Sequence, residues 1–203
     1  MNEEKNNTCH FDILNGKKIG FALCGSFCTF ERAFETLEHL LVAGCEAVPV
    51  MSFNAYSLDT RFGTAREHIE LLEKMCGRKI IHTIQDAEPI GPNDMLDVLL
   101  VANCTGNTLA KLAHSVTDTP VTMAVKSHLR NKKPVVLSIA TNDALAGCSK
   151  NIGMIMNFRD YYFVPMRQDD SEKKPTSLIS DFTLTVPTIT HALCAKQIQP
   201  MYL

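Results

Sequence analysis

Three polar turns hold the residues of this 203-residue chain whose types and spacing could do chemistry. The first is Cys24-Gly25-Ser26-Phe27-Cys28-Thr29, directly after the apolar run 17–23. A glycine followed by a serine offers bare backbone N–H groups and a hydroxyl where a helix begins. Both the N–H groups and the helix dipole favour negative charge, so the turn suits a phosphate. The plain alternative is a tight turn with a helix cap. The turn is not Gly-x-Gly-x-x-Gly, and no Gly-Lys-Ser/Thr follows, so neither the dinucleotide fingerprint nor the Walker loop is present. The second turn is Asn103-Cys104-Thr105-Gly106-Asn107-Thr108, at the end of the apolar run 97–102. Ligands of open α/β sheets sit in the crevice at such strand ends, although Thr and Asn are also good caps. The third turn is Thr141-Asn142-Asp143, after the apolar run 134–140. A basic cluster, Lys126, His128, Arg130, Lys132 and Lys133, lies between the last two. On a helix over 121–130, Lys126 and Arg130 fall four apart on one face, a pair able to grip carboxylates. Cations near a solvated helix end are the plain reading.

The elements that must position these turns alternate. Short apolar runs at 17–23, 47–52, 79–82, 97–102, 134–140 and 161–165 are predicted strands. Amphipathic stretches at 29–43, 64–75, 107–115, 121–130, 150–156 and 187–197 are predicted helices. In the first helix Phe30, Ala33, Phe34, Leu37, Leu40 and Leu41 recur at helical spacing, and Gly44 stands where a left-handed residue ends it. Pro120 and Pro187 open two of the others. Alternation of this kind predicts a three-layer α/β domain with a mainly parallel sheet of about six strands. We expect one domain over 1–203, an N-terminal extension over 1–15, and an exposed polar loop over 168–175 (QDDSEKKP).

The bulk numbers exclude several function classes. A chain of this length buries roughly 70% of its unfolded surface and needs no metal or disulfide to fold. Its 20 Lys and Arg against 22 Asp and Glu give a net charge of −2, which leaves no footprint for nucleic acid or an anionic membrane. No signal-like stretch and no long apolar span occur, so a cytoplasmic location is expected. The eight cysteines then read as thiols, with Cys45, Cys76, Cys104 and Cys194 in apolar runs and no metal site expected. No Gly-x-Ser-x-Gly occurs and the seven histidines lie in unrelated segments, so no catalytic group can be named.

Together the turns resemble the flavoprotein family that includes phosphopantothenoylcysteine decarboxylase, lantibiotic peptidyl-cysteine decarboxylases and prenyl-flavin synthesising enzymes. Gly25-Ser26 matches the family's first turn, Thr105, Asn107 and Thr108 match its Pro-Ala-Ser/Thr-Ala-Asn-Thr turn, and Ser52 matches a Ser/Thr that meets the flavin phosphate. A narrower resemblance, to the family of dipicolinate synthase B subunits of spore-forming bacteria, runs over nearly the whole chain. It is carried in order by Glu88-Pro89-Ile90-Gly91-Pro92, Thr105-Gly106-Asn107-Thr108, Met123-Ala124-Val125-Lys126, Leu129-Arg130-Asn131, Thr141-Asn142-Asp143-Ala144-Leu145, Lys150-Asn151-Ile152-Gly153 and Tyr162-Phe163-Val164-Pro165.

The resemblance implies a flavodoxin-like Rossmann fold assembled as trimers or their multiples. It implies FMN, or a phosphate in its place, held by Gly25, Ser26, Phe27, Ser52, Thr105, Gly106, Asn107 and Thr108. Lys126, Arg130 and Asn142 would then face a dicarboxylate substrate. The implied partner is the A subunit of dipicolinate synthase, which brings NADP. The implied reaction is oxidation of dihydrodipicolinate to dipicolinate in the mother cell of a sporulating bacterium. A non-catalytic role that stabilises or positions the A subunit is the alternative. Two departures set this chain apart from the decarboxylases: Pro89-Ile90 stands where they carry His-Ile, and Thr141-Asn142 keeps only the Asn of their Pro-x-Met-Asn element. Cysteine decarboxylation is therefore not expected.

Overall fold

A computed structural model describes residues 13–203. Five parallel strands form its centre: β1 (Lys18–Leu23), β2 (Glu46–Met51), β3 (Val98–Cys104), β4 (Val135–Thr141) and β5 (Tyr161–Phe163), in the order β2-β1-β3-β4-β5. This is the doubly wound order whose switch point lies between β1 and β3. β3 takes the middle because its sequence, VLLVANC, is buried at every position. Its side chains alternate between the two faces, as a strand's period of two requires. Leu99 and Val101 join the core under the helices α4 (Ile84–Ala87), α5 (Gly106–Ala113), α6 (Pro120–Leu129) and α7 (Ser149–Ile155). Val98, Leu100 and Ala102 join the core under α1 (Phe30–Val42) and α8 (Thr185–Leu193).

Local chemistry sets the element ends. Gly44 takes φ +83°, in the left-handed region, and turns the chain out of α1 into β2. Two more helices fill the excursion after β2: α2 (Phe53–Ser57), capped by Ser52, and α3 (Ala65–Cys76), opened by a capping box between Thr64 and Glu67. Thr105 and Thr119 cap α5 and α6 with their side chains.

Four expectations need correction. Residues 79–82 supply one bridge, Ile81 to Val50, rather than a strand, because the segment only brushes the free edge of β2. The polar stretch 168–175 is a hairpin: β6 (Met166–Asp170) and β7 (Lys174–Ser180) pair antiparallel, and Ala140 and Thr141 at the end of β4 pair with Ile179 and Leu178 of β7. Of the extension 1–15, residues 1–12 lie outside the described residues, while Leu14 is buried in the core under α1. Cys194, which the sequence places with the apolar-run cysteines, is exposed just past α8.

Candidate functional site

Asn103 organises the crevice. Between the pairs Val101–Leu137 and Cys104–Ile139, β3 advances three residues while β4 advances two. An extra residue of this kind re-aims a side chain, and strand bulges gather beside functional sites for that reason. Here the fully buried Asn103 turns toward the loop after β1. Its Oδ1 accepts from the Cys24 N–H at 2.6 Å, and its Nδ2 donates to the carbonyls of Cys24 at 3.1 Å and Ser26 at 3.3 Å. One amide thus fixes both sides of the first turn.

Around that clamp the structure gathers most of the predicted phosphate and cofactor residues. Ser26 begins the 3-10 turn Phe27–Thr29 without spending its hydroxyl on a cap; that hydroxyl's one neighbour of note is the Cys28 thiol, at 4.0 Å. Gly25 abuts Asn54 in the first turn of α2, so the loop after β1 and the cap residue Ser52 adjoin. The Ser52 oxygen accepts from Ala55 N–H, which leaves its O–H free to donate. Phe27 packs on Phe30 and closes the side of the loop. Asn107 is exposed in the first turn of α5, and among the described residues its amide has no hydrogen-bond partner. Thr108 behaves differently. It is buried and its hydroxyl donates to the Cys24 sulfur at 3.3 Å, while Thr105 donates to Thr108 at 3.2 Å. Thr108 is therefore a strut between β3 and the first loop.

The third turn closes the crevice from β4. Gly106 approaches it so closely that a Cβ there would lie 2.7 Å from Cys148 Sγ, 2.8 Å from Thr141 Oγ1 and 2.9 Å from Asp143 Oδ1. Thr141 donates to Asp143 at 2.6 Å. Asn142 is exposed here and is tied to β7: Thr176 donates to its carbonyl at 2.7 Å and Ser177 to its Oδ1 at 3.4 Å. The hairpin rises past the sheet's carboxyl edge from this point. It carries Lys174, paired with Asp169 at 2.5 Å. We expect Gly106→Val to displace the 141–148 turn. It should lower affinity for the FMN that the resemblance implies by roughly 5- to 150-fold in a titration followed by absorbance, because overpacking of about 1–3 kcal/mol falls on the crevice itself.

Three buried thiols of the crevice, Cys24, Cys104 and Cys148, stay protonated at neutral pH. Burial pushes Cys24 up to about 11 and Cys148 up to about 11, and it raises Cys104 well above the ordinary range.

The basic cluster does not join the crevice within one chain. α6 runs back from the carboxyl edge toward the start of β4, so its last turn lies at the opposite edge of the sheet. There His128 is buried against the Pro134 carbonyl, Lys133 reaches Leu96 O and Asp94, and Arg130 pairs with Glu88 at 3.8 Å. Lys126 and Arg130 sit one turn apart at this end, at the surface. Pro89 lies close by, in the 3-10 turn Glu88–Ile90 that Ser127 anchors to α6, and it offers no proton-transfer group.

A model of the family described as Flavoprotein matches residues 10–157. The chain belongs to the flavoprotein family. This flavoprotein is 44% identical over 188 residues, 93% of its length and 94% of the relative's, to the B subunit of dipicolinate synthase from Bacillus subtilis (strain 168). The crystal structure of the corresponding B subunit from Bacillus halodurans C shares 37% identity and superposes with a TM-score of 0.86, covering 94% of this chain and 97% of that one. An FMN-dependent cysteine decarboxylase, SpaF, shares the fold with a TM-score of 0.64 at 21% identity, covering 89% and 97%. Among the described residues no helix is long and apolar enough to cross a membrane.

Proposed function

We propose that this flavoprotein is the B subunit of a dipicolinate synthase, working with the A subunit in the oxidation of dihydrodipicolinate to dipicolinate. The observation that carries the reading is the 44% identity to a relative of that name over 93% of the chain. The crevice fits a mononucleotide. Gly25 and Ser26 offer a phosphate their N–H groups and Ser26 and Ser52 their hydroxyls, Phe27 flanks them, and Thr105, Gly106 and Asn107 line the path from β3. Thr108 supports the site from below. When bound, FMN supplies a two-electron acceptor; the protein's share is to hold it, orient the ring and exclude water. NADP is assigned to the A subunit, and Asn142 to the substrate side. Lys126 and Arg130 can serve the substrate carboxylates only from a neighbouring copy, which accords with a homo-oligomer, a trimer or its multiple. The working site is the cytoplasm of the mother cell.

One observation favours a second reading. With Pro89 where the decarboxylases carry histidine, the chain could position the A subunit without catalysis. The visible spectrum of the purified protein, with and without added FMN, separates the cofactor question from the rest. We expect a yellow protein with a band near about 450 nm, from the cofactor's own chemistry. A chain that stays colourless in excess FMN refutes the flavin site. We also expect dipicolinate formation by the A subunit to rise when this chain is added. The Asn107→Ala variant should remove that gain; if it leaves the gain intact, the second reading holds.

A further inference from the structure

The turn after β4 contains an ordered carboxylate that neither the cofactor nor the substrate assignments use. Asp143 is exposed at the crevice, yet it is not loose. The Thr141 hydroxyl donates to its Oδ1 at 2.6 Å, and the Cys148 backbone N–H, at the start of α7, donates to the Asp143 carbonyl at 3.0 Å. Asn151 follows in the first turn of α7, its N–H donating to the Cys148 carbonyl at 3.0 Å. Asn151 is 4% exposed, and its Oδ1 has no hydrogen-bond partner among the described residues. An unpartnered buried oxygen is costly, and such groups persist where a ligand or a function compensates them. The absence of a side chain at Gly106 keeps Asp143 open to the path from β3.

Resting on the dipicolinate synthase reading, we propose that Asp143 is the proton acceptor when the dihydropyridine dicarboxylate is aromatised on this chain. One ring C–H breaks with its electron pair, and the hydride passes to the oxidised flavin or nicotinamide of the synthase. The second C–H breaks toward Asp143; its electron pair becomes the last ring double bond, and the carboxylate becomes a carboxylic acid that returns the proton to water. The Thr141 hydroxyl holds the carboxylate's orientation through this exchange. That hydroxyl above all also keeps Asp143 below the usual carboxylate range, so it is ionised and ready at neutral pH. The titratable group facing it is Cys148, which burial keeps protonated.

The test pairs turnover with a binding measurement that needs no turnover. In Asp143→Asn, reconstituted with the A subunit, dipicolinate formation should fall about 100-fold or more, the usual contribution of a positioned base. Dipicolinate itself, titrated by calorimetry, should bind several-fold more tightly, because a carboxylate that repels a dianion has gone. Added formate should restore part of the rate in Asp143→Gly. A merely structural residue would weaken binding and rate together. If Asp143→Asn fails to fold, Thr141→Val decides: it frees the carboxylate from its hydroxyl and should slow turnover several-fold without weakening dipicolinate binding. Unchanged rates in these variants beside an active wild type overturn the proposal alone. A wild-type chain that neither binds dipicolinate nor supports turnover overturns the reading on which it rests, and this proposal with it.

Discussion

Asn103→Ala is expected to destabilise the fold by about 3 kcal/mol and to abolish retention of FMN. The substitution deletes one acceptor and one amide donor at a fully buried position. It strands the Cys24 N–H, which now donates to Oδ1 at 2.6 Å, and the Cys24 carbonyl, which now receives Nδ2 at 3.1 Å. A buried polar group left without its partner costs roughly 1–3 kcal/mol, and two are left here. The Ser26 carbonyl loses a longer bond as well. These bonds fix the turn that presents Gly25 and Ser26, so the ligand should suffer more than the stability figure alone suggests. Asn103→Asp sharpens the point. A carboxylate can still accept from Cys24 N–H but cannot donate to two carbonyls, and it should be at least as harmful as alanine. Urea denaturation monitors the fold and an absorbance titration monitors FMN. A variant that keeps both its midpoint and its affinity would show that the backbone alone holds the loop.

The origin of that clamp explains why the turn is legible in the sequence and its organiser is not. The apolar runs of β1 to β4 and the Thr and Ser caps are local signals, readable at the spacing of a strand or a helical turn. Asn103 acts across 79 residues of chain, on Cys24, and no local pattern records that partnership. A hint exists: an amide inside the run VLLVANC is a polar residue where burial demands a partner. The hairpin escapes for a different reason. β6 beyond Met166 and the first half of β7 are largely exposed, so QDDSEKKP carries no alternation of apolar and polar residues. Lys126 and Arg130 show a third kind of error. Their shared helix face follows from their spacing, but its place does not. A crossover helix from the end of β3 must finish where β4 begins, so its last turn cannot lie at the carboxyl edge. Topology, not composition, decides which side chains reach the crevice.

His128 belongs by sequence to a basic surface cluster, and its burial instead makes it a source of acid sensitivity. The residue is 1% exposed in α6, and in the tautomer protonated at Nε2 its N–H donates to the Pro134 carbonyl at 3.0 Å. Desolvation lowers it from 6.5 to about 4, against a smaller opposing effect of that hydrogen bond. Above pH 6.5 both folded and unfolded chains hold the ring neutral, and nothing is lost. Between 6.5 and about 4 the unfolded chain takes up a proton that the folded chain refuses, so stability falls as the pH falls. The gap amounts to about 3 kcal/mol, with a limiting slope of about 1.4 kcal/mol per pH unit, and it levels off below about pH 4. His68, also lowered by burial, acts in the same direction. The carboxylates held low by partners, such as the half-buried Glu73 and the exposed Asp94 and Asp118, lose their contribution mostly below this window. Urea denaturation of His128→Gln, which keeps a donor for Pro134 but cannot titrate, should therefore show a shallower decline from about pH 6.5 to about 4.5 than the wild type. Equal slopes in the two proteins would move the acid sensitivity away from the foot of α6 and onto His68 beside Phe30 and Phe34.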